Sequence, residues 1–525
     1  MSRPGFVLEV DERTPALLVH EGEGFGLRKL PLGSRVVYPP ESLPGLRDVD
    51  AQIRRALLRP LGREPLPELL YAGMKLTIVF DDLSIPLPPM RTPDIRSRII
   101  EQVLEMAAAA GVDDVELIAA NSLHRRMTPA ELRRTVGERV YRSFFPQHLK
   151  NHDAEDRGNL LEVGTTRHGE VVEINRRAAE SDLIVYVNVT LTAMSGGPKS
   201  VSVGLASYRS LKHHHNVHTL RHSRSFNDPP NSAMHHSYDR MAGVLDAQVK
   251  IFQIETTVNN DTFPSQLGFL NKREWEWSLK DQASYLAVKR ANDLTPPGRR
   301  RQIWQRTVAP YGITSVTAGA PADVHEVTMR HVLRQQLTEV DGPADVGIWG
   351  LPYICPYNVN SIMNPILVMS LGLGYFFNLY RGQPIVRPGG VAIYYHPVRN
   401  EFHPVHHPSY IDFFEEVLAE TTDPVAIEAK YEEQFANDPW YIHLYRNSYA
   451  YHGVHPLYMW YWGAHALEHL GEVIFVGGDR RTTARMGFRS ASTLDDALEM
   501  ARDRVGRSPS ITYLHAPPLT MADVR

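Results

Sequence analysis

Short, continuous apolar runs recur in the first half of the chain and predict buried β-strands. Residues 76–80 read Leu-Thr-Ile-Val-Phe, and further strand-like runs follow at residues 115–120 and 183–187. Runs without strict polar alternation are typical of parallel strands that are covered on both faces. Each run leads into a polar segment, and ligands of open parallel sheets bind at that end of the strands. The pattern therefore predicts an α/β fold with a functional sheet edge.

Helical patterns with start and stop signals separate these strands. A Thr-Pro pair at residues 92–93 predicts a helix that begins there and ends at Gly111. A second Thr-Pro pair at residues 128–129, with Glu131 three residues after the threonine, has the form of a capping box. The strand–helix alternation favours a mainly parallel sheet.

The same alternation resumes near residue 285 and predicts a second α/β domain. A chain of 525 residues is too long for one hydrophobic core. We therefore predict two α/β domains with mainly parallel sheets and the active site in the cleft between them. The predicted boundaries are an N-terminal domain over residues 1–285 and a C-terminal domain over residues 286–505, with the tail 506–525 packing back onto the first domain.

The most apolar segment, residues 361–380, is about long enough to span a bilayer. It contains Asn364, Pro365 and Asn378, and it is the one such segment in the chain. These features favour a buried helix with a glycine-broken end over a membrane span.

Composition narrows the possible functions. The net charge is −4, from 56 basic and 60 acidic residues, which gives no nucleic-acid footprint. The single cysteine, Cys355, excludes an intrachain disulfide framework and a cysteine-rich metal cluster. The first residues lack an apolar signal core, which predicts a cytoplasmic protein without a membrane partner.

The densest candidate chemistry lies in Ser195-Gly196-Gly197-Pro-Lys199-Ser and the histidines that follow it at 213–215. A Ser-Gly-Gly turn can present backbone N–H groups to an anion such as a phosphate. Lys199 has three interpretations: a phosphate-binding charge, a covalent attachment point or a solvated loop residue. The sequence has neither a Walker A loop nor a GxGxxG fingerprint.

Other polar residues stand at predicted strand ends. His124 follows the second strand, where a catalytic role competes with a simple loop hydrogen bond. Asp81 and Asp82 follow the first strand and can bind a metal or ribose, or cap a turn. His465 and His469 share a helix face, for which packing against aromatic neighbours is favoured over a metal site. No histidine spacing fits a zinc hydrolase.

Together these motifs resemble the lactate racemase family, whose members carry a nickel-pincer nucleotide. The resemblance is carried by four motifs in a fixed order. These are the turn Asp82-Leu-Ser84-Ile-Pro86, the pair His124-Arg125, the triplet Asn151-His152-Asp153, and Ser195-Gly-Gly-Pro-Lys199-Ser with Ser207-Tyr208 and His215 after it.

The resemblance implies a cofactor and roles for single residues. Nickel would be held in the sulfur–carbon–sulfur pincer of a pyridinium-3,5-bisthiocarboxylic acid mononucleotide, with Lys199 joined to one thio-acid arm and His215 as the protein ligand to nickel. His124 and Lys199 would be catalytic, because the cofactor accepts a hydride from a carbinol carbon while a histidine removes the hydroxyl proton. The residues implied to hold the cofactor are Asp82, Ser84, Ser195, Gly196, Gly197, Lys199 and His215.

Two positions depart from the family pattern. Val189 stands ten residues before the lysine, where the racemases have a second catalytic histidine. Ile85 stands three residues after Asp82, where they have a carboxylate-binding arginine. In the second half, Met363 and Ile366 replace the polar glutamine and lysine of a loosely aligned segment. Candidates for a replacement base are His152, His214 and His218.

The sequence thus predicts a racemase or epimerase of a 2-hydroxy acid or related secondary alcohol other than lactate. A one-face dehydrogenase-like reaction ranks next. The implied partners are this small substrate and, transiently, the enzymes that build the cofactor. The rival interpretation is a non-catalytic homologue that binds the nucleotide or cofactor without turnover.

Overall fold

The computed structural model describes residues 3–525 and contains two large α/β sheets. The first sheet has six strands, and all neighbouring pairs are parallel except the antiparallel edge pair at Ile313–Gly319. In spatial order its strands are Ile313–Gly319, Ile251–Val258, Leu183–Val189, Lys75–Asp81, Asp114–Ala120 and Leu149–Asn151. The predicted α/β class is confirmed.

The second sheet has seven strands and is parallel except at its edge strand Phe6–Glu9. In spatial order its strands are Phe6–Glu9, Arg35–Tyr38, Ile511–Leu514, Ala344–Gly350, Val386–Tyr395, Glu472–Val476 and Arg489–Ala491. Smaller sheets join Leu337–Val340, Met521–Val524 and Tyr380–Gly382, then Leu17–Glu21 with Gly24–Arg28, and Leu160–Thr165 with Val171–Asn175.

The two sheets do not follow the predicted division at residue 285. The strand Arg35–Tyr38 belongs to the second sheet, whereas Ile313–Gly319 closes an edge of the first. The predicted tail supplies the strand Ile511–Leu514 to the interior of the second sheet, where it pairs with Arg35–Tyr38 and with Ala344–Gly350. Leu519 of the tail packs against the core of the first sheet. Sheet membership depends on hydrogen bonds between segments far apart in sequence, which local hydrophobic patterns do not encode.

Helices cover both sheets. Up to residue 336 the helices are Val49–Leu58, Leu66–Leu69, Ile95–Ala109, Pro129–Val136, Glu138–Phe144, Arg176–Ala179, Lys199–Gly204, Tyr208–Leu211, Val217–Arg221, Ala233–Asp246, Leu279–Leu294, Pro297–Arg306 and Pro321–Gln336. In the second half of the chain they are Pro365–Met369, Ser370–Phe376, Pro408–Asp412, Phe413–Val417, Leu418–Glu420, Pro424–Asn437, Pro439–Asn447, His455–Tyr461, Ala464–His469, Arg480–Arg485 and Leu494–Val505. Short 3₁₀ turns occupy Arg157–Asn159, Pro229–Asn231, Ser265–Asn271 and Glu274–Glu276.

The first residues of two helices can be compared with the capping residues predicted from the sequence. The capping box of Thr128 and Glu131 is present, with each side chain bonded to the other's backbone N–H. The predicted cap at residues 92–93 is wrong, because Asp94 caps the helix Ile95–Ala109 by accepting a hydrogen bond from the Arg96 N–H. An aspartate directly before the first helical turn is a strong cap, and the Thr-Pro pair lies outside the helix.

The apolar segment at 361–380 lies inside the protein. Its helix Pro365–Met369 continues into the π-helical turn Ser370–Phe376, and nearly every residue of both is buried. Within residues 3–525, no helix is long and apolar enough to cross a membrane. π-Helical turns are rare and concentrate at functional sites, and this one brings Tyr375 to the cavity described next.

Candidate active site

The strand ends of the first sheet open into a cavity of about 280 Å³. The first half of the chain supplies most of its polar groups, among them Asp82, His124, Lys199 and His215. The second half supplies mainly aromatic and apolar groups, which include Tyr353, Tyr357, Tyr375, Phe376, Tyr458 and Trp462. Side chains from both halves of the chain therefore form the walls of one cavity.

A carboxylate orients the histidine at the second strand end. Oδ2 of Asp82 lies 2.9 Å from Nδ1 of His124, and its Oδ1 accepts hydrogen bonds from the amide and hydroxyl of Ser84. Burial alone raises the pKa of Asp82, but the His124 imidazole and the Ser84 donors outweigh it and hold that pKa below its ordinary value. The pair is thus an ionised carboxylate that fixes the imidazole, with Nε2 left for chemistry.

The adjacent carboxylate holds the neighbouring strand. Asp81 accepts hydrogen bonds of 2.7 Å from the Asn188 side chain and from the Val189 amide. Burial raises the pKa of Asp81 to about 7, although these two donors oppose the rise. Val189 itself is buried and apolar, so its side chain supplies no proton-transfer group at this strand end.

The side chain of Lys199 loses its proton more readily than that of an ordinary lysine. Its Nζ lies 5.4 Å from the centre of the Tyr238 ring. Burial lowers the pKa of its ammonium to about 8, although Asp81 and Glu255 oppose the fall. A lysine in this range carries a substantial fraction of free amine near neutral pH, which is the nucleophilic form.

Of the three adjacent histidines, the one that lines the cavity is His215. Its Nδ1 lies 2.6 Å from Nδ1 of His214, and its ring packs at 5.4 Å against Trp462. Burial, with smaller contributions from His124 and Lys199, lowers the pKa of His215 to about 3, so its imidazole is neutral and suited to bind a metal. Within residues 3–525, Nε2 of His215 has no protein hydrogen-bond partner, whereas His214 is fully buried behind it.

The Ser-Gly-Gly turn is only partly free to hold an anion. Ser195 and Gly196 line the cavity, but the Gly197 amide donates a hydrogen bond of 2.6 Å to Oε1 of the buried Glu255. A Cβ on Gly196 would lie 2.5 Å from the same carboxylate oxygen, and its φ of +80° also favours glycine. The predicted phosphate contacts of this turn, and those of Asp82 and Ser84, stay predictions.

The three candidates for a second base lie outside the cavity. His152 is buried, with Nε2 at 3.0 Å from the Ala206 carbonyl. His214 stands behind His215, and His218 is exposed. Instead, a histidine from the second half of the chain lines the cavity: His455, whose ring centre lies 5.5 Å from that of His124. Sequence reasoning passed over it because local sequence gives no sign of a contact across the two halves.

Lys199 is the one lysine or arginine among the described residues that line the cavity. Ile85 lines the cavity as an apolar side chain, and Arg125 is committed to Glu131 through two hydrogen bonds, the shorter 2.7 Å. Since burying an unpaired carboxylate is costly, this wall suits an uncharged group.

Protein side chains alone do not form a metal site in the part of the chain that the structure describes. Within residues 3–525, no group of three or more histidine, cysteine or acidic side chains is placed to hold a metal. His465 and His469 both pack against the Phe377 ring, with ring centres 5.7 Å and 5.6 Å from it, as predicted for this helix face. His465 also bonds to the Tyr380 hydroxyl at 3.1 Å and His469 to the Val386 carbonyl at 2.7 Å. A metal in the cavity would therefore need most of its donors from a bound organic group, with His215 as the protein donor.

Comparisons with known proteins point to one family. A family model described as the lactate racemase N-terminal domain matches residues 24–228. The chain is 26% identical over 167 residues to a lactate racemase of Thermoanaerobacterium thermosaccharolyticum and 27% identical over 169 residues to one of Lactiplantibacillus plantarum. Each match covers 31% of this chain and 37% of the relative, so it spans little more than a third of the length of these relatives.

A structural comparison extends further along the chain. The lactate racemase apoprotein of Thermoanaerobacterium thermosaccharolyticum superposes with a TM-score of 0.62 at 17% sequence identity. The alignment covers 97% of this chain and 100% of that one. At this identity the superposition establishes a shared fold.

Proposed function

We propose that the chain, which resembles lactate racemases over residues 24–228, is a divergent member of that family and a racemase or epimerase of an uncharged secondary alcohol or hydroxy-acid derivative. The reaction is a reversible hydride transfer that depends on a nickel-pincer nucleotide. One observation carries the proposal: Lys199, His215 and His124 line the same cavity. These are the positions to which the resemblance assigns the tether, the nickel ligand and a base.

The residues fit the proposed cofactor. Lys199 offers an amine with a pKa of about 8, suited to a thioamide link to one arm of the nucleotide. His215 offers a neutral imidazole with Nε2 free of protein partners among the described residues. The bound group supplies a two-electron acceptor that takes up a hydride and gives it back. Neither contact requires a cysteine, in agreement with the single, buried Cys355.

The protein's own residues perform the proton transfer. Asp82 holds Nδ1 of His124, which leaves Nε2 to remove the hydroxyl proton of the substrate and later return it. The apolar wall excludes water, which strengthens the electrostatic interactions inside the cavity and protects a carbonyl intermediate. Tyr357, whose ring centre lies 5.0 Å from that of His124, limits the directions from which a substrate reaches the base.

The substrate is proposed to differ from lactate. The position of the family's carboxylate-binding arginine is the apolar Ile85, and the one cationic lining residue, Lys199, loses its charge when it forms the thioamide. Asp82 already places a negative charge at the reacting end. A hydroxy amide, hydroxy ester or simple secondary alcohol avoids an unpaired carboxylate, and the aromatic wall favours an apolar substituent.

Loading with cofactor tests the proposal. The protein is co-expressed with the enzymes that build the nickel-pincer nucleotide, and the Lys199 peptide is examined by mass spectrometry alongside nickel analysis of the intact protein. We expect a mass gain on that peptide and nickel in about equal amount to protein. Absence of both under conditions that load a lactate racemase would refute the cofactor assignment.

A non-catalytic binder is the second candidate, favoured by the apolar side chains of Ile85 and Val189 at two catalytic or binding positions of the family. Hydroxy amides, hydroxy acids and alcohols that carry deuterium at the carbinol carbon discriminate the two functions. Inversion or label loss with any of them excludes the binder, provided that Lys199→Ala abolishes it. Full loading without turnover on the whole panel favours the binder.

A further inference from the structure

His455 is the third histidine that lines the cavity, after His124 and His215, and it comes from the opposite half of the chain. It begins the helix His455–Tyr461, and it is 2% exposed. Its ring centre lies 5.5 Å from that of His124 and 4.8 Å from that of Tyr357, in edge-on contact with both. The proposed function assigns a role to His124 and none to this neighbour.

One ring nitrogen of His455 has a hydrogen-bond partner and the other has none among the described residues. Nδ1 lies 2.6 Å from the hydroxyl of Tyr410. Nε2 is buried and has no hydrogen-bond partner among the described residues. A buried polar atom without a partner costs free energy, so such atoms are rare in folded proteins unless a ligand or water satisfies them. The ring also lines the cavity, so a hydroxyl or carbonyl group bound there can satisfy this nitrogen.

The contact with Tyr410 suits a group that exchanges protons. A phenol can donate or accept a hydrogen bond, so either tautomer of His455 keeps the contact with Nδ1. Burial raises the pKa of Tyr410 well above its ordinary value, so the phenol stays neutral. Burial and nearby histidines lower the pKa of His455, so its imidazole is in the neutral, proton-accepting form.

We infer that His455 is the second proton-transfer residue of this site, positioned by Tyr410, and that it takes the place of the histidine that Val189 replaces. This inference rests on the proposed function. Inversion of a secondary alcohol through a carbonyl compound needs hydroxyl proton transfer for both enantiomers. His124 and His455 line the cavity from different halves of the chain. We therefore assign the hydroxyl proton of one enantiomer to His124 and that of the other to His455.

The bonds and electrons balance across the cycle. The histidine facing the bound enantiomer takes the hydroxyl proton, the C–H electron pair leaves as hydride to the pyridinium acceptor, and a carbonyl forms. After the carbonyl compound turns over, the proton passes from the first histidine to the second, whose ring centre lies 5.5 Å away. The hydride returns to the opposite face, the second histidine delivers this proton to oxygen, and both rings end neutral with no net oxidation.

Single-turnover chemistry on separate enantiomers tests the inference. The cofactor-loaded enzyme is mixed with (R)- or (S)-phenyllactamide, and phenylpyruvamide formed per enzyme is measured after acid quench. We expect His455→Asn to slow oxidation of one enantiomer by about 100-fold or more and to leave the other within about threefold. His124→Asn should give the mirror-image result. Equal slowing of both enantiomers by His455→Asn, or of neither, overturns the inference.

A second measurement works without turnover. Calorimetric binding of phenylpyruvamide to the loaded protein should weaken about tenfold in His455→Asn, because the hydrogen bond to the carbonyl oxygen is lost. His218→Asn is the matched control, since that exposed histidine lies outside the cavity. Unchanged affinity in His455→Asn, or no binding to wild type, overturns the role of His455.

The positioning role of Tyr410 is tested by a separate substitution. Tyr410→Phe removes the contact with Nδ1 but keeps the ring, so it should slow the same enantiomer as His455→Asn by a smaller factor. A failure of the proposed function looks different, because wild type then oxidises neither enantiomer although it carries the Lys199 adduct.

Discussion

Oδ2 of Asp82 lies 2.9 Å from Nδ1 of His124, so a buried carboxylate at one strand end fixes the imidazole at the next. The two residues are 42 positions apart, and parallel pairing of Lys75–Asp81 with Asp114–Ala120 brings their strand ends together. The carboxylate selects the tautomer with Nε2 unprotonated, as a general base requires.

Removing the charge of Asp82 should impair catalysis without unfolding the protein. Asp82→Asn can present its amide N–H to Nδ1 and so favour the wrong tautomer, and we expect a loss of about 100-fold or more in the turnover of phenyllactamide. Ser84→Ala, which leaves the carboxylate in place, should cost less. A wild-type rate in Asp82→Asn would contradict the orienting role.

Lys199 should react as a weakly basic amine. The free amine is the nucleophile, so the reaction rises with pH through the pKa of about 8, instead of near the ordinary value of 10.5. Competitive acetylation of the protein without cofactor, followed by peptide mass spectrometry over pH 6–11, gives this midpoint. A midpoint above about 10 would show that burial does not lower the pKa of Lys199.

Replacing His215 should separate nickel retention from covalent attachment. In His215→Ala the Lys199 peptide keeps its mass gain, since the lysine is unchanged, while nickel per protein falls after dialysis against a chelator. His213→Ala is the control, because that half-buried side chain lies outside the cavity. Equal nickel retention in His215→Ala and wild type would remove His215 as the ligand.

A new cation at position 85 should change substrate preference. Ile85→Arg places a guanidinium at a lining position, and a charge-assisted hydrogen bond to a carboxylate should tighten the binding of phenyllactate about 10- to 100-fold relative to phenyllactamide. Ile85→Gln tests length and polarity without charge and should give no such preference. If wild type already prefers phenyllactate, the uncharged-substrate proposal is wrong.

Glu432 should destabilise the fold as the pH rises. Its buried side chain accepts a hydrogen bond from Tyr208, and burial together with Glu428 raises its pKa from 4.5 to about 7. Between these values the folded protein binds more protons than the unfolded chain, so stability falls as pH rises through this window and the full cost is present above about pH 7.

The test is Glu432→Gln, an uncharged side chain of the same shape. Urea unfolding should show little difference from wild type near pH 5 and a gain of about 1–3 kcal/mol at pH 8. Glu433→Gln, at the exposed neighbouring position, should show no such gain. A pH-independent effect of Glu432→Gln would contradict the raised pKa.

The strands of the first sheet were predictable because their signals are local. The apolar run at 183–187 became the strand Leu183–Val189, and residues 115–120 became Asp114–Ala120. Burial on both faces demands apolar side chains regardless of partner, so the pattern is visible in one sequence. For the same reason the segment 361–380 could be assigned to the interior.

Strand order could not be predicted in the same way. Nothing local in Arg35–Tyr38 states that it pairs with Ile511–Leu514, and nothing in Ile313–Gly319 states that it pairs with Ile251–Val258. Backbone hydrogen bonds are the same for all residues other than proline, so strand partners are chosen by the packing of the whole chain.

The sequence by itself determined the α/β class, the resemblance to lactate racemases over residues 24–228 and the presence of Lys199, His215 and His124 at motif positions. Only the tertiary structure decided that the Gly197 amide is taken by Glu255, that Asp82 serves His124, and that His455 enters the cavity while His152 and His218 do not. The physical reason is the distance along the chain over which the two kinds of interaction act. Strand and helix patterns arise from residues that are close in sequence. A site contains side chains that are far apart in sequence, and long-range packing sets the distances between them.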